Sequence, residues 1–71
     1  MRYAVVIEKA DRNYSAYVPD LPGCVAAASN REEVLRLIRE AIEFHLDGMK
    51  QDGVAIPEPH STSVLVEIRA A

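Results

Sequence analysis

The run Tyr14-Ser15-Ala16-Tyr17-Val18-Pro19-Asp20-Leu21-Pro22-Gly23-Cys24 constrains this chain more than any other stretch. Its first half, with two tyrosines and a valine, suits a strand. Its second half ends that strand and turns the chain. In Leu21-Pro22-Gly23-Cys24, Pro22 presets φ at about −65° at the second position, and Gly23 permits the positive φ needed at the third, which is a type II turn. Asp11-Arg12-Asn13 supplies an earlier polar turn, so the strand Tyr3–Glu8 and the strand Tyr14–Val18 read as an antiparallel hairpin. A third short strand, Cys24–Ala28, follows the second turn.

A helix comes next. Ser29 with Glu32, or Asn30 with Glu33, has the spacing of a capping box. From about Arg31 to Gln51 the apolar residues recur with helical period. Val34, Ile38, Ala41, Ile42, His45 and Met49 share one face, and Arg36, Arg39, Glu40, Glu43, Asp47 and Lys50 lie opposite. Glu32–Arg36 and Arg39–Glu43 are spaced to pair along the polar face. Gly53 sits where a left-handed C-cap belongs. Pro57 and Pro59 then hold an extended loop, and Ser63–Arg69 alternates as a fourth strand through Val64, Val66 and Ile68.

The order β-β-β-α-β predicts an α+β fold. A meander leaves the first and third strands parallel, and the helix returns the chain so that strand four runs with strand one. The expected result is a four-stranded mixed sheet in the order 3-2-1-4, with a right-handed crossover and one helix on one face. If Val5, Ile7, Val64, Val66 and Ile68 face the helix, the period of two sends Ala4, Val6, Tyr17 and Leu65 to the other face. The apolar arc of the helix, about 200° wide once Leu35, Leu37, Phe44 and Leu46 are counted, exceeds the ~100° stripe of an ordinary surface helix. Both excesses predict an association surface.

Size points the same way. Seventy-one residues make one domain, residues 1–71, with a marginal core. Cys24 is the only cysteine, so no internal disulfide forms, and His45 and His60 have no zinc-type spacing. Association is then the expected extra source of stability, as a homo-oligomer or with a partner. No stretch reaches the ~20 apolar residues of a membrane span, and the N-terminus lacks a signal-peptide pattern, so a cytoplasmic protein is expected. Eight Lys/Arg against eleven Asp/Glu give a net charge of −3. That balance opposes unaided nucleic-acid binding and suits a basic protein partner.

Little in the chain promises chemistry. Asp20 is the carboxylate best placed in a loop, but it has no second acid near it in sequence, so a structural or contact role is expected. Cys24 has no base beside it and reads as an inert packed thiol. His45 lies on the apolar helix face, and the three glycines, Gly23, Gly48 and Gly53, make no phosphate loop. No catalytic residue, cofactor or metal is expected.

These residues resemble the HicB-type antitoxins along most of their length. The resemblance is carried by Tyr3-Ala4-Val5-Val6-Ile7-Glu8, by Ala16 to Cys24, by Glu32-Glu33-Val34, by Glu40-Ala41-Ile42-Glu43 and by Ile56-Pro57-Glu58-Pro59. It implies a truncated ribonuclease H-like sheet with one helix, lacking that superfamily's acidic metal site. It also implies a function: binding and masking a HicA-like toxin, a small ribonuclease. Contacts are expected on the turn and the exposed sheet, at Tyr17, Asp20, Leu21, Pro22, Gly23 and Leu65. Many members carry a C-terminal DNA-binding domain. This chain stops at Ala71, so no such domain and no direct operator binding are expected. Two other readings are a stand-alone self-associating regulator or scaffold without a toxin, and a degenerate ribonuclease H-like nuclease using Glu8 and Asp20.

Overall fold

Alternation along the first thirty residues builds the sheet. The computed structural model describes residues 1–70 and contains three short strands, β1 (Val6–Lys9), β2 (Tyr14–Tyr17) and β3 (Val25–Ala28). The domain boundary drawn at residue 71 falls outside the described residues. The strands form an antiparallel meander in the order β1-β2-β3. Ala16 stands opposite Ile7 on one side and Ala26 on the other. That row, together with Tyr14 and Ala28, faces inward and packs on the core. Alanines at 26 and 28 leave room for a helix to lie close against β3. Tyr3, Val5 and Ile7 all pack on the core too, so the inward alternation begins at Tyr3 although the ladder begins at Val6.

The helix α1 (Arg31–Gln51) covers the inner face and touches β2 and β3. Asn30 is its N-cap: it is extended (φ −142°, ψ 166°), and its Oδ1 accepts the Glu33 N–H at 2.8 Å. The reciprocal half of a capping box is replaced, because the Glu33 carboxylate pairs with Arg36. Arg36 also reaches Glu40 at 2.6 Å. The expected Glu32–Arg36 pair therefore gives way to partners three residues before and four residues after the arginine. All these groups are exposed, so each pair contributes only a few tenths of a kcal/mol. Gly53, at φ 69°, takes the left-handed position past the helix end, where its N–H meets the Lys50 carbonyl at 3.2 Å.

The core is a single cluster: Ala16, Val18, Leu21, Cys24, Val34 and Ile38. Leu21, Val34 and Ile38 are its largest fully enclosed side chains. Ala41, Ile42 and Leu46 continue it along the helix as half-buried residues.

The sheet departs from the expected order 3-2-1-4 at its fourth position. Residues 63–69 join no ladder, and among the described residues the sheet has three strands, so the α+β class stands while the four-stranded, ribonuclease H-like arrangement does not. Every residue from Thr62 to Ala70 is exposed. Val64, Val66 and Ile68 are 71–78% accessible and Leu65 is fully so. The cause lies in what a period-two pattern encodes. It specifies a strand with one apolar face, but not which edge that strand joins. Here residues 62–70 form an arm. The radius of gyration, 14.2 Å, and the long dimension of 52 Å record it; a compact chain of this length has a radius of about 11 Å.

Candidate partner-binding face

The segment between β2 and β3 is locked by its own backbone. Leu21 N–H donates to the Val18 carbonyl at 3.0 Å, Cys24 N–H to the Leu21 carbonyl at 3.0 Å, and Val18 N–H to the Cys24 carbonyl at 3.2 Å. Gly23 has φ 85°, as the type II turn requires. This path turns Leu21 into the core with no accessible surface and leaves Pro22 and Gly23 exposed at the tip.

Asp20 also turns inward; its side chain is 1% accessible. Its Oδ2 accepts the backbone N–H groups of His60 at 3.0 Å and Ser61 at 2.9 Å. Its Oδ1 accepts the Ser61 hydroxyl at 2.7 Å and lies 3.2 Å from His60 Nε2. The Ser61 hydroxyl bond, more than any other group, holds the carboxyl below the ordinary range. The Ser61 and His60 N–H groups and the His60 charge act in the same direction, and burial opposes them. Asp20 is therefore a clamp joining the turn to a segment forty residues further on. The Tyr3 hydroxyl makes a second tie by donating to the Pro57 carbonyl. Together the clamp and this tie fix the loop that follows α1 and set the root of the arm.

The outer face of the sheet has no covering element among the described residues. Its central row runs Val6–Tyr17–Val25 across all three strands, and the next row runs Glu8–Ser15–Ala27. Tyr17 is 42% accessible and Val25 64%. The face is thus an apolar strip with an aromatic centre, edged by Glu8.

Of the residues singled out in the sequence, the structure brings Tyr17 onto this face and places Pro22 and Gly23 at the tip beside it. Asp20 and Leu21 are turned away from solvent, and Leu65 lies on the arm. Val25 was not singled out. Its signal was available: it alternates with inward Ala26 and falls opposite Tyr17 in a hairpin register. His60 and Ser61 carried no such signal, because only the folded chain brings them to Asp20.

The other polar side chains assemble nothing comparable. Both Asp20 oxygens are occupied, and among the described residues no group of three or more His, Cys, Asp or Glu side chains converges. Burial pushes the Cys24 thiol up, which suppresses its thiolate. No helix among the described residues is long and apolar enough to cross a membrane.

A meander, one capped helix and a clamped Pro-Asp-Leu-Pro-Gly turn define a small α+β domain with an uncovered apolar sheet face. Comparison with known proteins makes this specific. The model of the HicB-like antitoxins of bacterial toxin–antitoxin systems matches residues 3–69, and the chain belongs to that family. It is 42% identical over 67 residues to a UPF0150 protein of Helicobacter pylori, covering 93% of both chains. It is 34% identical over 67 residues to a UPF0150 protein of Thermoplasma acidophilum, covering 93% of this chain and 97% of that one. A 14.9 kDa protein from the rep-hol intergenic region of Haemophilus phage HP1 is 40% identical over 58 residues; these are 82% of this chain but only 44% of the phage protein, so the match spans less than half of the longer chain. No solved structure matches.

Proposed function

We propose that this chain is a cytoplasmic antitoxin that binds a small basic ribonuclease of the HicA type and masks its RNA-binding surface. The observation that carries the reading is the uncovered row Val6–Tyr17–Val25 in a protein of the antitoxin family. A large amphipathic ring between two β-branched residues is the sort of anchor that dominates protein interfaces. The net charge of −3 favours encounter with a partner whose surface is basic enough to hold RNA. The role is binding rather than catalysis, and no cofactor takes part. Pro22 and Gly23 form the rim beside Tyr17, whereas Asp20 and Leu21 support that rim from beneath.

The test is co-expression with a small HicA-type ribonuclease, followed by co-purification and an RNA cleavage assay. Wild type suppresses cleavage. Tyr17→Asp, with an unchanged circular dichroism spectrum, weakens the complex by ~30-fold or more, the size of a central aromatic contact of about 2 kcal/mol. Full suppression by Tyr17→Asp removes the outer face from the interface. Failure of the wild type to bind that ribonuclease removes the antitoxin reading itself.

A further inference from the structure

Three features of the molecule fit one another. The first is the arm: residues 63–69 alternate Val64, Val66 and Ile68 against Leu65, Glu67 and Arg69, and their apolar side chains are 71–102% accessible. The second is the outer edge of β1, which pairs with β2 on one side and, among the described residues, with no strand on the other. The third is a groove between α1 and the segment that leads into β1, floored by Tyr3, Val5, Ile38 and Ile42 and rimmed by Arg39 and Glu43. A strand of seven residues spans about 23 Å, enough to run the length of residues 2–8.

We infer that two copies of this chain exchange arms, each laying residues 63–69 along the β1 edge of the other, with Val64, Val66 and Ile68 in the groove. The occupant is a second copy because one chain carries both the free strand and the free edge. An isologous pair satisfies two arms and two edges at once and closes without leaving either over. A different protein seated on the edge would leave this chain's own arm exposed. The area agrees with a stable dimer. At about 60–120 Å² of apolar surface per buried Val or Ile, two arms and the grooves they cover bury on the order of 1,000 Å², the size at which specific interfaces begin. The clamp makes the exchange directional: Asp20 and Tyr3 hold the loop up to Ser61, so only the chain beyond that point is free to cross. In the exchanged pair Leu65 falls on the outer face and prolongs the Val6–Tyr17–Val25 row. This inference does not depend on the toxin, and its test contains none.

Light scattering after size exclusion, across a dilution series, gives twice the 7.9 kDa chain mass for wild type. Val66→Asp shifts the protein to the single-chain mass, or raises the dissociation constant at least tenfold. It leaves the circular dichroism spectrum in place, because Val66 touches no core residue. Phe44→Asp, at a helix position 82% accessible and outside the groove, leaves the dimer intact. A half-labelled mixture provides the second measurement: isotope-filtered nuclear Overhauser spectra of wild type show Val64 and Val66 methyl groups against Val5 and Ile42 of the other copy. The inference is overturned by a wild type that stays monomeric at the highest concentration, by a dimer broken by Phe44→Asp and not by Val66→Asp, or by arm-to-groove contacts found only within one chain.

Discussion

Leu21 tests whether the turn is part of the core or a contact displayed to a partner. The sequence permits both, and the structure encloses the side chain completely between β2, β3 and α1. Leu21→Ala removes three carbons from a site without access to water. Its core neighbours Val34 and Ile38 sit on α1, and Val18 and Cys24 are held by the backbone hydrogen bonds of the turn, so the space closes only in part. Truncations of this kind cost about 2–5 kcal/mol, the lost transfer energy plus the cavity left behind. A chain of this length has a total stability of about 4–11 kcal/mol. A loss of about 3 kcal/mol therefore takes a large share of it and lowers the melting temperature by about 12–24 °C. Urea unfolding followed by helix circular dichroism is the assay, run at two protein concentrations because association would add to apparent stability. Leu21→Met, which keeps the volume, costs under about 1.5 kcal/mol and serves as the control. A Leu21→Ala loss below about 1 kcal/mol would refute the placement of Leu21 in the core. Weaker partner binding at unchanged stability would point to the opposite geometry.

Two further perturbations probe the same turn. The Asp20 carboxyl titrates lower in the folded chain than in the unfolded one, so its contribution is complete above the unfolded value of about 3.9 and disappears as the pH falls through the lower folded value. Limited proteolysis at falling pH should therefore cut first at residues 60–63. Asp20→Asn, which puts a donor where a carboxylate accepts from N–H and hydroxyl groups, should give that cutting already at neutral pH; equal protection of wild type and variant would show that the clamp does not hold the loop. Gly23 takes φ 85°, and a Cβ there would meet no atom within 4 Å, so Gly23→Ala meets backbone strain alone. It should cost about 1–2 kcal/mol in the same urea assay, and Gly23→Asn less, because asparagine tolerates the left-handed region better; an unaffected Gly23→Ala would mean that the turn relaxes.

Local signals in this sequence were reliable wherever the physics is local. The type II turn follows from Pro22 and Gly23, the helix start from the adjacent cap candidates Ser29 and Asn30, its end from Gly53, and the buried helix stripe from the spacing of Val34 and Ile38. Each depends on residues within a few positions of one another. Long-range pairing was less legible. The pattern of residues 63–69 states that they have an apolar face, not where that face rests, and a strand without a partner edge gives no ladder. The Arg36 pairs show the same limit on a smaller scale. Three acids lie within four positions of that arginine, and spacing alone ranks Glu32, Glu33 and Glu40 equally. The candidate site divides along the same line. Tyr17 is outward because its neighbour Ala16 is inward, which alternation gives directly. The inward Asp20 was hidden, since its partners His60 and Ser61 are remote in sequence.

The residues of the turn thereby separate into distinct mechanical parts. Pro22 and Gly23 set the backbone, Leu21 and Cys24 fill the core, and Asp20 captures the chain forty residues later. None of them needs to touch a partner for the proposed partner surfaces to depend on them. The Asp20 clamp fixes where the arm leaves the body, and the turn fixes the ends of β2 and β3, which carry Tyr17 and Val25. Both surfaces, the outer face and the arm, thus share one support. A substitution at Asp20 should act on both, loosening the arm at its root and disturbing the rim beside Tyr17. Tyr17→Asp should silence the outer face and leave the arm exchange, whereas Val66→Asp should release the arm and with it the Leu65 end of the outer row.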